Sequence, residues 1–233
     1  MAKRLPLFDP KEIPVKEVLS HAPSVDASKL SIDALRQRFS QVQEWEAEIT
    51  NESRLALIES VNKDDEGNVR LTPASVLIPL VMKSDGLHVL LTQRTDHLND
   101  HAGQISFPGG RAEDHDEDAI ATAIREAQEE IGLEVHRVEH LGNLPDYLTI
   151  TGYRVTPVVA LIEPQDSYAP DPFEVADIFE VPLTFLMNPA NHQLREWIGP
   201  TGNRSFYAMP YENRFIWGAT AGMLRNLYHF LNV

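Results

Sequence analysis

The chain contains no cysteine. That excludes disulfides, thiolate metal sites and cysteine nucleophiles. Positive charge is scarce: 20 Lys+Arg stand against 35 Asp+Glu, a formal net charge of −15. Such a balance disfavours sequence-independent binding to nucleic acid, where basic side chains must meet phosphate. An anionic substrate would meet a repulsive field, so bound metal and local arginines would have to supply the attraction. Long apolar runs are missing too. Ala74–Met82 is among the longest, far below the roughly 20 residues that span a bilayer, so no membrane partner is expected. The N-terminus, MAKRLPLFDPKEI, has no apolar core of the secretory type, so a cytoplasmic protein is expected. There is no internal repeat and no low-complexity tract.

What is present is enough for a sizeable core. With 233 residues, 42% of them hydrophobic, the chain can form one generous domain or a domain with an appendage. Residues 1–70 read as an N-terminal arm followed by helices, an extension rather than an independent domain. Pro6, Pro10, Pro14 and Pro23 mark Met1–Lys29 as extended, packed on the domain or on a partner subunit; the latter would make a homodimer. Ile32, Leu35, Phe39, Val42 and Trp45 step by three and four, which predicts a helix over Ser31–Glu48, and Leu55, Ile58 and Val61 predict a second. Lys63–Asn68 reads as a linker. From Leu71 to the C-terminus the pattern changes. Ala74–Met82 and Leu87–Gln93 read as a hairpin about Ser84-Asp85-Gly86. Strands are expected at Gln104–Phe107, Glu134–Leu141, Val155–Ile162 and Glu174–Val181, with Asp146–Gly152 a loop. Val155–Ile162 is apolar enough to be buried on both faces. Leu183–Leu186 reads as a helical turn, Trp197–Tyr211 as a hairpin around Gly199–Asn203, and Ile216–Leu231 as a closing helix. The expected class is α+β, an α/β/α sandwich.

The stretch that concentrates chemistry is GQISFPGGRAEDHDEDAIATAIREAQEEIGL, Gly103–Leu133. A short strand turns at Pro108-Gly109-Gly110, an acidic loop follows, and then a helix. Asp118 is the expected N-cap and Gly132 the left-handed C-terminal residue. Ile120, Ile124, Ala127 and Ile131 give an apolar face, with an acidic face expected opposite. Glu126 and Glu130 lie one turn apart, Glu129 joins them, and Arg125 is four before Glu129. Like charges so spaced cost a helix roughly 0.2–0.5 kcal/mol per pair. For REAQEE alone a solvated acidic face is the simpler reading. The preceding glycine turn and the flanking segments together tip the balance towards a hard divalent cation, Mg²⁺ or Mn²⁺, which takes carboxylate, water and phosphate oxygens.

GG…REAQEEIGL resembles the Nudix box, G-x5-E-x7-R-E-U-x-E-E-x-G-U, where U is a large aliphatic. Gly110, Arg125, Glu126, Glu129, Glu130, Gly132 and Leu133 match. Asp116 stands where the first Glu is expected, the gap to Arg125 holds eight residues, and Ala127 replaces one aliphatic. Taking Glu117 as the first acid restores the gap but lengthens the loop by one. Upstream, LLTQRTDHLNDHAGQISFPGG (Leu90–Gly110) is similar to the signature of the coenzyme A pyrophosphatase branch, LLTxR[SA]xxxRxxxGxVxFPGG, with Asn99 in place of its second Arg. Leu141–Ile162, Phe179–His192 and Arg214–Leu231 resemble the same branch.

The resemblance implies a Nudix fold over 71–233, a mixed sheet between helices. It implies a divalent-metal-dependent hydrolase of a pyrophosphate linkage, with Glu126, Glu130 and Glu129 as ligands of Mg²⁺ or Mn²⁺. Glu129 would alternatively help to activate water, and Arg125 would fix a box carboxylate. Gly109 and Gly110 would bring the substrate-binding loop against the helix, and Arg94 could meet a phosphate. Glu174 is a candidate general base, although a surface Glu at a strand start is its ordinary reading. Tyr147, Tyr153 and Trp217 could stack on adenine; core packing is the better reading of Trp217. His97 and His101 receive no role. The leading substrate is coenzyme A or acyl-coenzyme A, giving 3′,5′-ADP and 4′-phosphopantetheine. ADP-ribose or another nucleoside diphosphate derivative is the alternative, supported by Asn99. A non-catalytic nucleotide-binding module would be expected to lose box carboxylates, and mRNA decapping fits poorly with −15.

Overall fold

A computed structural model describes residues 9–41, 44–59, 67, 69–95, 103–199 and 202–233. In chain order the elements are β1 (Val15–Val18), α1 (Ile32–Ser40), α2 (Asn51–Glu59), β2 (Thr72–Lys83), β3 (Gly86–Arg94), β4 (Ile105–Ser106), β5 (Gly109–Arg111) and α3 (Ala119–Ile131). They continue with β6 (Val138–Asn143), β7 (Tyr147–Leu148), β8 (Tyr153–Ile162), β9 (Val175–Pro182), α4 (Leu183–Leu186), β10 (Gln193–Gly199), β11 (Gly202–Tyr211), β12 (Arg214–Trp217) and α5 (Ala219–Asn232).

The larger sheet is mixed. β2 runs parallel to β8, from Thr72↔Tyr153 to Val81↔Ile162, and β6 and β9 flank β8 and β3 antiparallel. Both central strands alternate between two cores. Leu77 and Val81 of β2, with Val158, Ala160 and Ile162 of β8, face α3 through Ala123, Ala127 and Ile131. Ile78 and Leu80, with Val159 and Leu161, face the other way, towards Leu35 of α1 and Leu224, Leu227 and Leu231 of α5. This is the period-2 alternation of a sheet covered on both faces, and it produces the helix–sheet–helix layering.

One irregularity positions the site. β2 and β3 pair only near their common turn, from Leu80↔Val89 to Lys83↔Gly86. Beyond that they splay. The first half of β2 pairs with β5 (Ala74↔Arg111, Val76↔Gly109), and the end of β3 pairs with β4 (Thr92↔Ser106, Gln93↔Ile105). The Pro108-Gly109-Gly110 turn fills the wedge, and Pro108 accepts a hydrogen bond from Leu77 N at 2.9 Å.

A second sheet, in the order β1-β10-β11-β12, is antiparallel. The N-terminal arm contributes its edge: β1 pairs with β10, and the Arg195 guanidinium holds the arm by donating to the carbonyls of Lys11 (2.9 Å) and Ile13 (2.7 Å). The described part of the arm therefore packs on its own chain.

Three expectations are corrected. The first helix stops at Ser40 instead of reaching Glu48, because Gln41 is extended. The segment after it is drawn onto α5: Trp45 packs edge-on against Phe230, and Glu48 N donates to Asn226 Oδ1 at 2.8 Å. The last helix begins at Ala219, not Ile216. Residues 214–217 form β12 against β11, and Gly218, at φ 63°, breaks the strand before the helix starts. Glu134–Leu141 opens as a 3-10 turn, Val135–Arg137, and becomes a strand only at Val138.

Candidate active site

The helix that carries the acids is defined by its ends. Asp118 Oδ1 accepts from Ala121 N at 2.8 Å, the expected N-cap. Gly132 adopts the left-handed conformation (φ 66°, ψ 32°), and its N–H and that of Leu133 close on the carbonyls of Gln128 and Ala127. The buried face differs from the expected one. It includes Thr122, Ala123, Ala127, Glu130 and Ile131, whereas Ile124 is half-exposed. Glu130 thus lies at the margin of the core, not on the solvated side, and only 5% of it is exposed.

The glycine turn covers this margin. Gly109 N donates to Glu130 Oε2 at 3.3 Å. A Cβ on Gly110 would lie 2.5 Å from the Glu126 carboxylate, and one on Gly109 would lie 2.4 Å from the Ser75 carbonyl. Gly109 needs glycine because a side chain there would meet backbone, whereas at Gly110 the obstacle is the movable Glu126 carboxylate.

Arg125 organises the outer edge. Its Nε and Nη2 donate to Asp116 Oδ1 and Oδ2, each at 2.9 Å, in a two-pronged grip. Its Nη1 donates to Glu126 Oε1 at 3.0 Å and Glu129 Oε2 at 3.1 Å, and its Nη2 also reaches the Arg111 carbonyl at 3.0 Å. Asp116 accepts further from Glu113 N and Thr122 Oγ1, each at 2.9 Å. These bonds, that from Arg125 foremost, hold the Asp116 carboxyl far below the usual range. Asp116 is therefore the acid that meets Arg125, and Glu117 is exposed. The Arg94 side chain stands between two carboxylates, with Nη1 3.9 Å from Glu130 Oε1 and Nη2 3.9 Å from Glu174 Oε2.

Burial pushes the Glu130 carboxyl up to about 8. The Gly109 N–H and Arg94 oppose that rise, while the charges of Glu174 and Glu126 add to it. Burial also raises Glu126, against the pull of Arg125. Two carboxylates withdrawn from water, repelling one another and served by few donors, suit a hard cation that would restore their ionised forms. The space over Gly110 that a Cβ would fill lies beside one of them. Among the described residues no three carboxylate or imidazole groups already converge on one point. Glu129, whose side chain is 61% exposed, is held by Arg125.

The fold thus brings together Glu126, Glu130, Glu129, Arg125, Gly109, Gly110, Arg94 and Glu174, all singled out in the sequence. Tyr147 is buried and bonded to Thr50 and Glu52, which makes it a core residue. His97, Asn99 and His101 lie outside the described residues. Sequence reasoning missed a buried polar cluster away from this site: Glu48, His192, Arg225 and His229 meet behind the second sheet. Nothing in their spacing, from 48 to 229, signals that meeting.

The family model described as NUDIX domain matches residues 71–198. An Escherichia coli K12 protein described as an uncharacterized Nudix hydrolase, NudL, is 43% identical over 155 residues, covering 66% of this chain and 80% of the relative. Among solved structures, the Nudix hydrolase RenU from M. smegmatis is 22% identical with a TM-score of 0.43, covering 52% of this chain and 78% of that one. The NUDIX domain of Shewanella oneidensis NrtR, solved with ADP ribose, is 21% identical with a TM-score of 0.39, covering 52% and 79%. The chain belongs to the Nudix family of hydrolases, enzymes that act on nucleoside diphosphate derivatives.

Proposed function

We propose that the chain is a divalent-metal-dependent pyrophosphohydrolase whose substrate is coenzyme A or acyl-coenzyme A, giving 3′,5′-ADP and 4′-phosphopantetheine. The observation that carries the hydrolytic reading is the pair Glu126 and Glu130, one half-buried and one buried, under a glycine turn that lies against both. Glu126 and Glu130, joined by Glu129, would hold Mg²⁺ or Mn²⁺. Such an ion, when bound, neutralises phosphate charge and supplies a water of lowered pKa. Arg125 fixes the orientation of Glu126 and Glu129 by its grip on Asp116. Arg94 offers the cation that an anionic substrate needs on a chain of net charge −15. Glu174, whose Oε2 lies 3.9 Å from Arg94 and whose side chain is 44% exposed, would accept a proton from the attacking water. The choice of coenzyme A rests on the likeness of Leu90–Gly110 to the branch signature.

A substrate panel tests the reading: coenzyme A, acyl-coenzyme A, ADP-ribose, NADH and diadenosine polyphosphates, each with Mg²⁺ and Mn²⁺. Coenzyme A or an acyl derivative is expected to have the highest kcat/KM. A higher value for ADP-ribose would overturn the substrate. Glu130→Gln should reduce turnover to background with the fold intact; full activity in that variant would reject the metal assignment.

A further inference from the structure

A cavity of about 420 Å³ opens at the end of β3. Its size falls within the range of small-molecule sites, roughly 300–1,000 Å³. Gln93 lines it, and the next residue is Arg94. The Gln93 amide meets Arg214 of β12, whereas the Arg94 guanidinium lies 3.9 Å from Glu130 of α3, so the cavity and the carboxylates share a strand end but not a face. Gln104 forms another wall, and its carbonyl accepts from Arg94 N at 3.0 Å.

The lining has a distinct chemistry. Gln93, Gln104 and Asn213 bring three carboxamides, and Phe215 and Trp217 bring two aromatic rings. The charge of Arg214 is met just outside the lining. Arg214 Nη1 donates to Gln93 Oε1 at 2.6 Å, and Nη2 pairs with Asp177; the guanidinium lies 4.6 Å from the Phe179 ring centre. Arg214 thereby fixes the Gln93 amide. Asp9 Oδ1 accepts from Lys11 N at 2.9 Å, and with Lys11 itself the formal charges of Asp9, Lys11, Arg214 and Asp177 cancel. On a chain of net charge −15, a neutral lining of amides and rings does not suit a bare phosphate. It suits an uncharged heteroaromatic ring, which stacks on aromatic faces and is read at its edge by Asn and Gln amides.

We propose that this cavity takes the adenine nucleoside end of the substrate, whose pyrophosphate passes round the end of β3 to Arg94 and the carboxylates. This rests on the hydrolase reading above and adds a base-selecting site to it. Most of the lining lies outside the matched residues 71–198: Asp9, Pro10 and Lys11 come from the arm, and Asn213, Arg214, Phe215 and Trp217 from β12 and the turn before it. The arm, clamped by Arg195, thus has a role in substrate selection.

Calorimetry on the full chain with AMP, UMP and 4′-phosphopantetheine as separate probes tests the site without requiring turnover. AMP is expected to bind at least about tenfold more tightly than UMP. Asn213 is exposed in a turn, so Asn213→Phe should leave the melting temperature unchanged while its ring fills the mouth. It should weaken AMP by about tenfold and raise KM for coenzyme A and ADP-ribose alike, with kcat within about twofold. Asn213→Ala serves if the larger side chain disturbs folding, with the same KM effect at about threefold. Equal binding of AMP and UMP, unchanged KM in both variants, or loss of 4′-phosphopantetheine binding in place of AMP would overturn the proposal. AMP binding by a chain that hydrolyses no pyrophosphate would keep the cavity and reject the hydrolase reading. Turnover without base preference would do the reverse.

Discussion

Arg125 and Asp116 face each other through two parallel hydrogen bonds of 2.9 Å, and the same guanidinium reaches Glu126 and Glu129. One planar group therefore sets the geometry of three acids. Lysine cannot reproduce it, because an ammonium is a point charge without a fork. Arg125→Lys is expected to lower kcat by about 10- to 100-fold, with the helix retained by circular dichroism. Wild-type kcat in this variant would mean that Glu126 is oriented by something else.

The two glycines of the turn should fail differently. At Gly110 an added Cβ would lie 2.5 Å from the Glu126 carboxylate, the far end of a flexible side chain. At Gly109 it would meet backbone, the Ser75 carbonyl at 2.4 Å. Gly110→Ala should therefore fold and bind Mn²⁺ about 10- to 100-fold more weakly, because Glu126 must move. Gly109→Ala should lose stability, by about 1–3 kcal/mol, because the splayed β2 strand has to shift. Denaturant titration and Mn²⁺ titration separate the two effects, and an unstable Gly110→Ala that binds Mn²⁺ normally would contradict this assignment.

These relationships were partly legible in the sequence. Asp118 and Gly132 announce the ends of α3 through local backbone chemistry, and the three- and four-residue spacings stack Glu126 over Glu130. The burial of Glu130 was not legible. A hydrophobicity pattern assigns an acid to the solvated face, whereas the glycine loop that covers Glu130 reaches it by tertiary packing. The choice between Asp116 and Glu117 depends on how the acidic loop folds back to Arg125, which spacing alone leaves open. Other misreadings have the same origin. Val42 and Trp45 continue a helical period in the sequence, but Gln41 is extended and α5 holds Glu48 through Asn226 and Arg225. Trp217 looks like the start of a helix until β11 pairs with it.

Glu174 and Arg94 give a separable prediction. Glu174 Oε2 lies 3.9 Å from Arg94, and the Glu174 side chain is 44% exposed. If it accepts the proton of water, Glu174→Gln keeps the side-chain size and removes the base. The expected result is a kcat lower by about 10²- to 10⁴-fold with little change in KM. Arg94→Ala should instead raise KM, since the substrate phosphates lose a cation. A Glu174→Gln variant altered in KM alone would place that residue in binding, not proton transfer.

The cluster behind the second sheet predicts how stability depends on pH. The His192 ring is fully buried; Nε2 lies 2.7 Å from the Leu186 carbonyl, and Nδ1 lies 3.2 Å from Arg225 Nη1. These partners assign the proton to Nε2 and leave Nδ1 as the acceptor. A second proton would face the guanidinium, and burial, with Arg225 adding to it, pushes His192 down to about 4. Burial alone would raise Glu48, but hydrogen bonds from His229, Tyr207 and Arg225 outweigh it and hold its carboxyl at about 2. Both groups have depressed values in the folded chain. Below the ordinary histidine value of 6.5 the unfolded chain takes up a proton that folded His192 refuses until about 4, so stability falls as pH drops through that window. The loss amounts to roughly 3 kcal/mol from His192. Glu48 adds a second loss from its ordinary 4.5 down to about 2. His192→Gln keeps a donor for Leu186 and an acceptor for Arg225 but cannot titrate. Urea unfolding at pH 7, 5.5 and 4.5 should show falling stability in the wild type and a flatter profile between pH 6.5 and 5 in the variant. Parallel profiles would show that the acid sensitivity arises elsewhere.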